Sequence, residues 1–298
     1  MESKLKLIFF LLPVFLFSGC MSTGIGVVDS GSFENTTILT QNFLDEITLG
    51  NVEGAFMVHK FGANDNVGTT LTPISLSGNY QTPTTAAALE ILSSNANDNS
   101  AGTGARTVRI FGLNSSGDEI TEDVSLSGTT PVALSNSYLR LYRAYVLESG
   151  SYATQTTPSQ LGTITIRGAG AGATWSTISV IGGGFGVGQT EIGVYTVPRG
   201  YNCWLLRKVM SINSNKVANL YFFQRQNITD TTAPYSTMRL VEKHIGIANT
   251  FELVSRSAVS KFPELTDIGF MGNTDTGTAE VSVEFELVCL DTTLFPSN

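Results

Sequence analysis

The chain is poor in the residues from which active sites are made. Its 298 residues include two histidines, His59 and His244, and neither has a partner at metal-ligand spacing. His59 sits beside Lys60, and His244 follows Lys243 on an expected strand. No Gly-x-Ser-x-Gly elbow is present, which excludes the strand-to-helix serine nucleophile that this motif marks. Lys and Arg number 17 against 25 Asp and Glu, and they form no basic run. Binding to phosphate backbones needs clustered cations, so nucleic acid is not an expected partner. Only 14% of residues are charged, against roughly 25% in an average soluble domain. The polar surface must therefore come from Ser, Thr, Asn and Gln. Such a surface repels its copies weakly and suits packing between subunits, although it suits secretion equally well.

Cysteine is scarce too. Cys20, Cys203 and Cys289 are too few and too dispersed for a disulfide framework or a zinc site. A single Cys203–Cys289 bridge is one reading. The favoured one leaves both free, packed as small hydrophobes on apolar strand faces.

Helical periodicity is almost missing. No strand–helix alternation occurs, which excludes a nucleotide-binding α/β sheet. What is present from Gly54 onward is alternation with a period of two, the mark of half-buried strands. The clearest hairpin spans Thr107 to Ser127, with its turn at Asn114-Ser115-Ser116-Gly117. A strand from Tyr138 to Leu147 puts Leu139, Leu141, Tyr145 and Leu147 on one face, with Arg143 the exception. The last strand, Ala279 to Leu290, turns Val281, Val283, Phe285, Leu287 and Cys289 inward. Ala87 to Leu92 is the one stretch that reads as a short helix, and the apolar piece Phe43 to Leu49 reads as an arm or a first strand. Glycine is dense in Gly182 to Gly188, which suggests a linker.

The expected fold is all-β, with two β-sandwich or jelly-roll-like domains. The boundaries are a signal-like or mis-started segment at 1–20, an N-terminal arm at 21–50 and a sandwich at 51–181. A Gly-rich linker at 182–188 then leads to a jelly-roll-like sandwich at 189–298.

The first twenty residues allow two readings. Lys4 and Lys6 precede the apolar run Leu7 to Phe17, and Phe17-Ser18-Gly19-Cys20 resembles a lipoprotein cleavage box. On that reading Cys20 is lipidated and the protein meets a membrane. On the other, translation starts at Met21.

Few residues invite chemistry. Gly184-Phe185-Gly186-Val187-Gly188 lacks the Lys-Ser/Thr ending and the following helix of a phosphate loop. The acidic turns Asn64-Asp65-Asn66, Asn97-Asp98-Asn99 and Asp275-Thr276-Gly277 offer oxygens to Ca²⁺, and none has the full calcium-loop pattern. No other cofactor is expected. Glu119 and Glu122 have opposite parity on one strand, which argues against a glycosidase pair. Tyr138, Tyr142 and Trp175 offer rings to host-surface glycans only if exposed; the commoner role of such aromatics is in the core or at subunit contacts.

Several blocks are similar to a known family. Leu49-Gly50-Asn51-Val52-Glu53-Gly54 and Val58-His59-Lys60-Phe61-Gly62 resemble the start of a family of tailed-phage virion proteins. Asn97-Asp98, then Ala101 to Val108, resemble its central motif. Gly112-Leu113, Gly117 to Glu122, Tyr138 to Val146 and Phe262 to Ile268 continue the resemblance in order, over roughly 43–290. The family's Trp-Asp-Gly-type block is not found between Leu71 and Tyr80. The resemblance implies a non-catalytic particle component: head fibre, decoration or tail-associated subunit. It implies self-association into a homo-oligomer and contact with other virion proteins. The alternative is an outer-membrane or surface lipoprotein with adhesive β-sandwich domains.

Overall fold

The computed structural model describes residues 41–182, 184–254 and 260–296. Cys20, Met21 and the signal-like segment lie outside the described residues. The chain opens with helix α1 (Gln41–Thr48), β1 (Ala55–Val67) and β2 (Thr72–Pro73). Next come β3 (Ala87–Ser93), β4 (Ala105–Leu113), β5 (Glu119–Ser125), β6 (Val132–Tyr138) and β7 (Arg140–Ser149). They are followed by β8 (Ile164–Gly168), β9 (Thr174–Ile178), β10 (Val180–Ile181), β11 (Phe185–Gly186) and β12 (Val194–Thr196). The remainder is β13 (Tyr201–Ile212), β14 (Ala218–Arg225), β15 (Arg239–Ile247), β16 (Thr250–Val254), β17 (Lys261–Phe262), β18 (Asp267–Asn273) and β19 (Ala279–Asp291). The fold is all-β, and every strand pair is antiparallel.

Two sandwiches result, but not in the expected linear order. In the first, the sheet β1-β19-β13-β16 faces the sheet β12-β18-β14-β15. Its core centres on Phe222, Phe262, Phe270 and Phe285, whose rings meet edge-on or tilted at 4.9–6.2 Å. Full burial of such a side chain contributes about 1.5–3 kcal/mol. In the second sandwich, β6-β3-β8-β9 faces β5-β4-β7 over Leu89, Ile91, Val108, Ile110, Ile164 and Ile166.

The first long strand belongs with the last. β1 pairs with β19 from Ala55↔Leu290 to Val67↔Ala279. The second sandwich is thus an insertion between β2 and β12, and the expected boundary at 182–188 is corrected. Alternation reveals that a segment is a strand; it does not reveal the partner. Nor do the glycines act as a free tether. Val180–Ile181 pairs with Phe185–Gly186 as a small hairpin, and the Gly188 carbonyl accepts the Val146 N–H. A Cβ on Gly186 would lie 2.3 Å from Gln160 Cγ, so glycine is required there by contact.

Two local expectations are also corrected. Ala87–Ser93 is a strand: Leu89, Ile91 and Ser93 are buried in alternation, so tertiary pairing overrides the helix-forming composition. The apolar piece near Phe43 is the helix α1. Phe43, Leu44 and Ile47 share one face, packed with Met57, Trp204, Leu206, Val288 and Leu290. An isolated eight-residue helix is marginal in water, so this docking is what holds it. It also explains why the alternation of β19 ends in four buried residues, Leu287 to Leu290.

Cys203 and Cys289 are not free. β13 and β19 bring Cys203 and Cys289 directly opposite each other, with Cα atoms 4.0 Å apart, and a disulfide joins them. Their separation of 86 residues hides this register from the sequence.

The two sandwiches are joined through a buried ion pair. Arg140 at the start of β7 and Asp267 at the start of β18 are 0% and 1% exposed. Nε and Nη2 of Arg140 donate to the Asp267 carboxylate at 2.9 Å each, and Nη1 donates to the carbonyls of Leu139 and Pro83. Thr196 Oγ1 donates to the same carboxylate at 2.7 Å, and the Tyr80 hydroxyl lies 2.8 Å from Thr196 Oγ1. Removing one member of such a pair strands the other charge without solvent. Asp267→Asn is expected to cost about 3–5 kcal/mol of unfolding free energy, whereas substitution of the exposed Asp123 costs about 1 kcal/mol or less. Urea denaturation of both variants tests this; equal losses would refute the ranking.

Candidate functional site

A cleft of about 300 Å³ opens where the two sandwiches meet. β1, β12 and β13 of the first sandwich supply one wall, and β4, β5 and β7 of the second supply the other. Aromatic rings line it. Tyr142 and Tyr195 meet edge-on at 5.1 Å, and so do Phe56 and Tyr201 at 5.0 Å.

Lys60 projects into this cleft from β1 and is 5% exposed. Its Nζ donates to the carbonyl of Tyr142 and lies 5.7 Å from the Tyr142 ring centroid. An ammonium has three donors, and among the described residues this one acceptor holds it. Burial, and then the neighbouring Arg143 cation, push the Lys60 ammonium down from 10.5 to about 7. Arg143 is exposed, with its guanidinium carbon 5.3 Å from the Tyr145 ring centroid. The salt bridges among the described residues do not include Arg143. At the other side of the cleft the Tyr142 hydroxyl donates to Glu119. Burial, then Tyr195 and Glu119, raise the Tyr142 phenol far above its ordinary range, so it stays protonated as that donor.

The residues singled out from the sequence are dispersed. Glu119 is in the cleft, while Glu122 accepts the backbone N–H groups of Ser135 and Asn136, so the two carboxylates serve separate structures. Tyr138, Tyr142 and Trp175 are 0%, 4% and 7% exposed, so they are core rings and not an open sugar-stacking surface. Cys203 and Cys289 lie in the core of the first sandwich, away from the cleft lining. Among the acidic turns, Asp98 is fully buried and its two oxygens accept from Ser93 Oγ and the N–H groups of Ala105, Leu161 and Gly162. Those donors occupy the lone pairs a cation would use. Asn64 Oδ1 accepts the Asn66 N–H, and Asp275 Oδ1 accepts from Asn219 Nδ2. Among the described residues no three His, Cys, Asp or Glu side chains come close enough to share a metal ion. His59 is on the cleft rim, 3.7 Å from Glu284. His244 stands 3.1 Å from Glu242, whose carboxylate also meets the buried Lys208 ammonium.

Lys60 was not singled out from the sequence, although a signal for it exists. It shares strand parity with Phe56 and Val58, so a cation occupies a position that the alternation assigns to an inward apolar side chain. Arg143 breaks its own strand's pattern in the same way.

Comparison with known proteins adds little. No protein-family model matches the chain, and no curated protein matches it. Among solved structures, the chain is similar to that of infectious bursal disease virus Gt strain at 13% identity and a TM-score of 0.22. That alignment covers 82% of this chain and 74% of the other. The infectious bursal disease virus VP2 subviral particle gives 10% identity and a TM-score of 0.17, covering 85% and 83%.

The charge on Lys60 leaves a mark on stability. Between pH 7 and 10.5 the unfolded chain holds more of this proton than the folded one, so stability gains from this group as pH rises through that window. Lys60→Met removes the contribution. The variant's advantage over the wild type is expected to be largest below pH 7, on the order of a few kcal/mol, and to shrink toward pH 10. Paired urea titrations at pH 6 and pH 9.5 measure it; a pH-independent difference would contradict the buried-ammonium account.

Proposed function

We propose that this chain is a structural subunit of a tailed-phage particle, working by self-association and docking on capsid or tail, without catalysis. The observation that carries the reading is an open flank of the first sandwich. β15 ends one sheet and β16 ends the facing sheet, and the two are joined through Ala248 and Asn249. Two sheet edges therefore lie side by side, with no further strand paired to them among the described residues. Leu240, Ile245, Phe251 and Leu253 on these strands are 40–53% exposed. Unpaired strand edges are templates for pairing with another chain, and natural proteins usually blunt them with charge, proline or bulges. Here β15 carries Arg239, Glu242 and Lys243 and pairs with β14 through two register shifts, yet four large apolar side chains remain exposed on the two edges.

The sequence supports the same reading. The blocks that resemble the virion family include Arg140 and Asp267, the ion pair between the sandwiches, and Asp98, the hub of the 93–105 turn. A low surface charge lowers the repulsion that copies must overcome. Oligomers generally close by rotational symmetry, so a defined oligomer is expected and not an open series.

Sedimentation velocity on the purified protein tests the association. The wild type is expected to sediment as a discrete oligomer, and the double variant Leu240→Lys/Phe251→Lys as a monomer with unchanged circular dichroism. Mass spectrometry of purified particles tests the location. A wild type that is strictly monomeric, together with its absence from particles, would overturn the proposal.

A further inference from the structure

Independently of assembly, we infer that the cleft between the two sandwiches binds an acidic sugar ring, with the carboxylate held between Lys60 and Arg143 and the apolar C–H side of the ring in the angle between Phe56 and Tyr201. Two cations line one cavity, and the hydrogen bonds and ion pairs of the described residues give neither a carboxylate partner. Lys60 is held by one backbone carbonyl, which leaves two of its three donors without a protein acceptor among the described residues, on the wall of the cavity. Buried charge without a counter-charge is costly. A bound carboxylate would neutralise both cations and give Arg143 a two-pronged acceptor.

The remaining walls indicate what carries that carboxylate. Ligand sites combine apolar and aromatic walls with a few placed polar groups, and here the rings of Phe56 and Tyr201, set edge-on at 5.0 Å, form an apolar corner. The phenols of Tyr195 and Tyr201 and the carboxylate of Glu119 border the same space. A wholly apolar acid would set hydrocarbon against Glu119. A hydroxylated ring gives Glu119 donors to accept from, and a cavity of about 300 Å³ admits a single ring.

The ionisable groups that face Lys60 are Arg143, Glu119, His59, Tyr142, Tyr195 and Tyr201. A bound anion favours the charged ammonium. Affinity should therefore be highest at and below pH 7 and fall as the pH rises to 9, where free Lys60 is neutral.

The experiment titrates the full chain with the methyl glycosides of galacturonic acid and of galactose, and with benzoate, using calorimetry or ligand-observed NMR. The uronate is expected to bind saturably with Kd of about 1 mM, and galactose roughly tenfold more weakly. Arg143→Gln and Lys60→Met should each weaken uronate binding about tenfold. Arg143 is exposed, so its variant keeps the test valid if Lys60→Met does not fold. Equal binding of galactose, benzoate binding without uronate binding, unchanged affinity in Arg143→Gln, or no uronate binding up to about 20 mM would each overturn the assignment.

Discussion

The architecture depends on one ion pair. Arg140 and Asp267 sit where two sandwiches meet, both out of reach of water. Replacing a buried pair with well-packed hydrophobes is often neutral or stabilising, so the pair is a weak source of net stability. Its value here is geometric. Two parallel N–H···O bonds fix the distance and angle between β7 and β18 in a way that apolar contact between two curved sheets would not. Thr196 and Tyr80 extend the constraint to β12 and to the segment leaving β2. The cleft inherits its shape from this, because β7 and β12 supply Tyr142, Arg143 and Tyr195 to its walls.

Three cations are buried among the described residues, each in a different setting. Arg140 has a full bidentate carboxylate and two carbonyls. Lys208 has Glu242 and the face of Phe222, with its ammonium 5.5 Å from the ring centroid. Lys60 has a carbonyl and the electron-rich face of Tyr142, with a second cation beside it. Only the first is a closed network: the Lys208 ammonium meets Glu242 yet makes no hydrogen bond of regular geometry. Lys60 differs from both in place, because it stands on the wall of an open cavity with a second cation beside it. Position on a cavity, and not an incomplete set of partners, is what distinguishes Lys60.

Much of the fold was legible because burial in a sandwich writes itself as alternation. The hairpin of β4 and β5, and the inward row Val281, Val283, Phe285, Leu287 and Cys289, follow from period two alone. Partnership was not legible. Whether β1 pairs with β4 or with β19 depends on register across more than 200 residues, and no local pattern encodes it. The Cys203–Cys289 bridge was obscured for the same reason, because it follows from the β13–β19 register. The helix α1 and the strand β3 exchanged their expected identities because each is too short for intrinsic propensity to outweigh its packing. The cleft left only the trace of two cations in apolar registers, Lys60 and Arg143, since its other walls are ordinary aromatic core residues.

Strand order separates the two surfaces that matter. In the first sandwich β1 and β12 stand at one end of their sheets, and β16 and β15 at the other. The β1–β12 flank meets the second sandwich and forms the cleft there. The β15–β16 flank faces away, with its sheet edges unpaired among the described residues. Contact at the open flank and occupation of the cleft would therefore involve different strands. The insertion of the second sandwich between β2 and β12 produces this division. It covers one flank of the first sandwich within the chain, and the opposite flank has no further strand paired to it among the described residues.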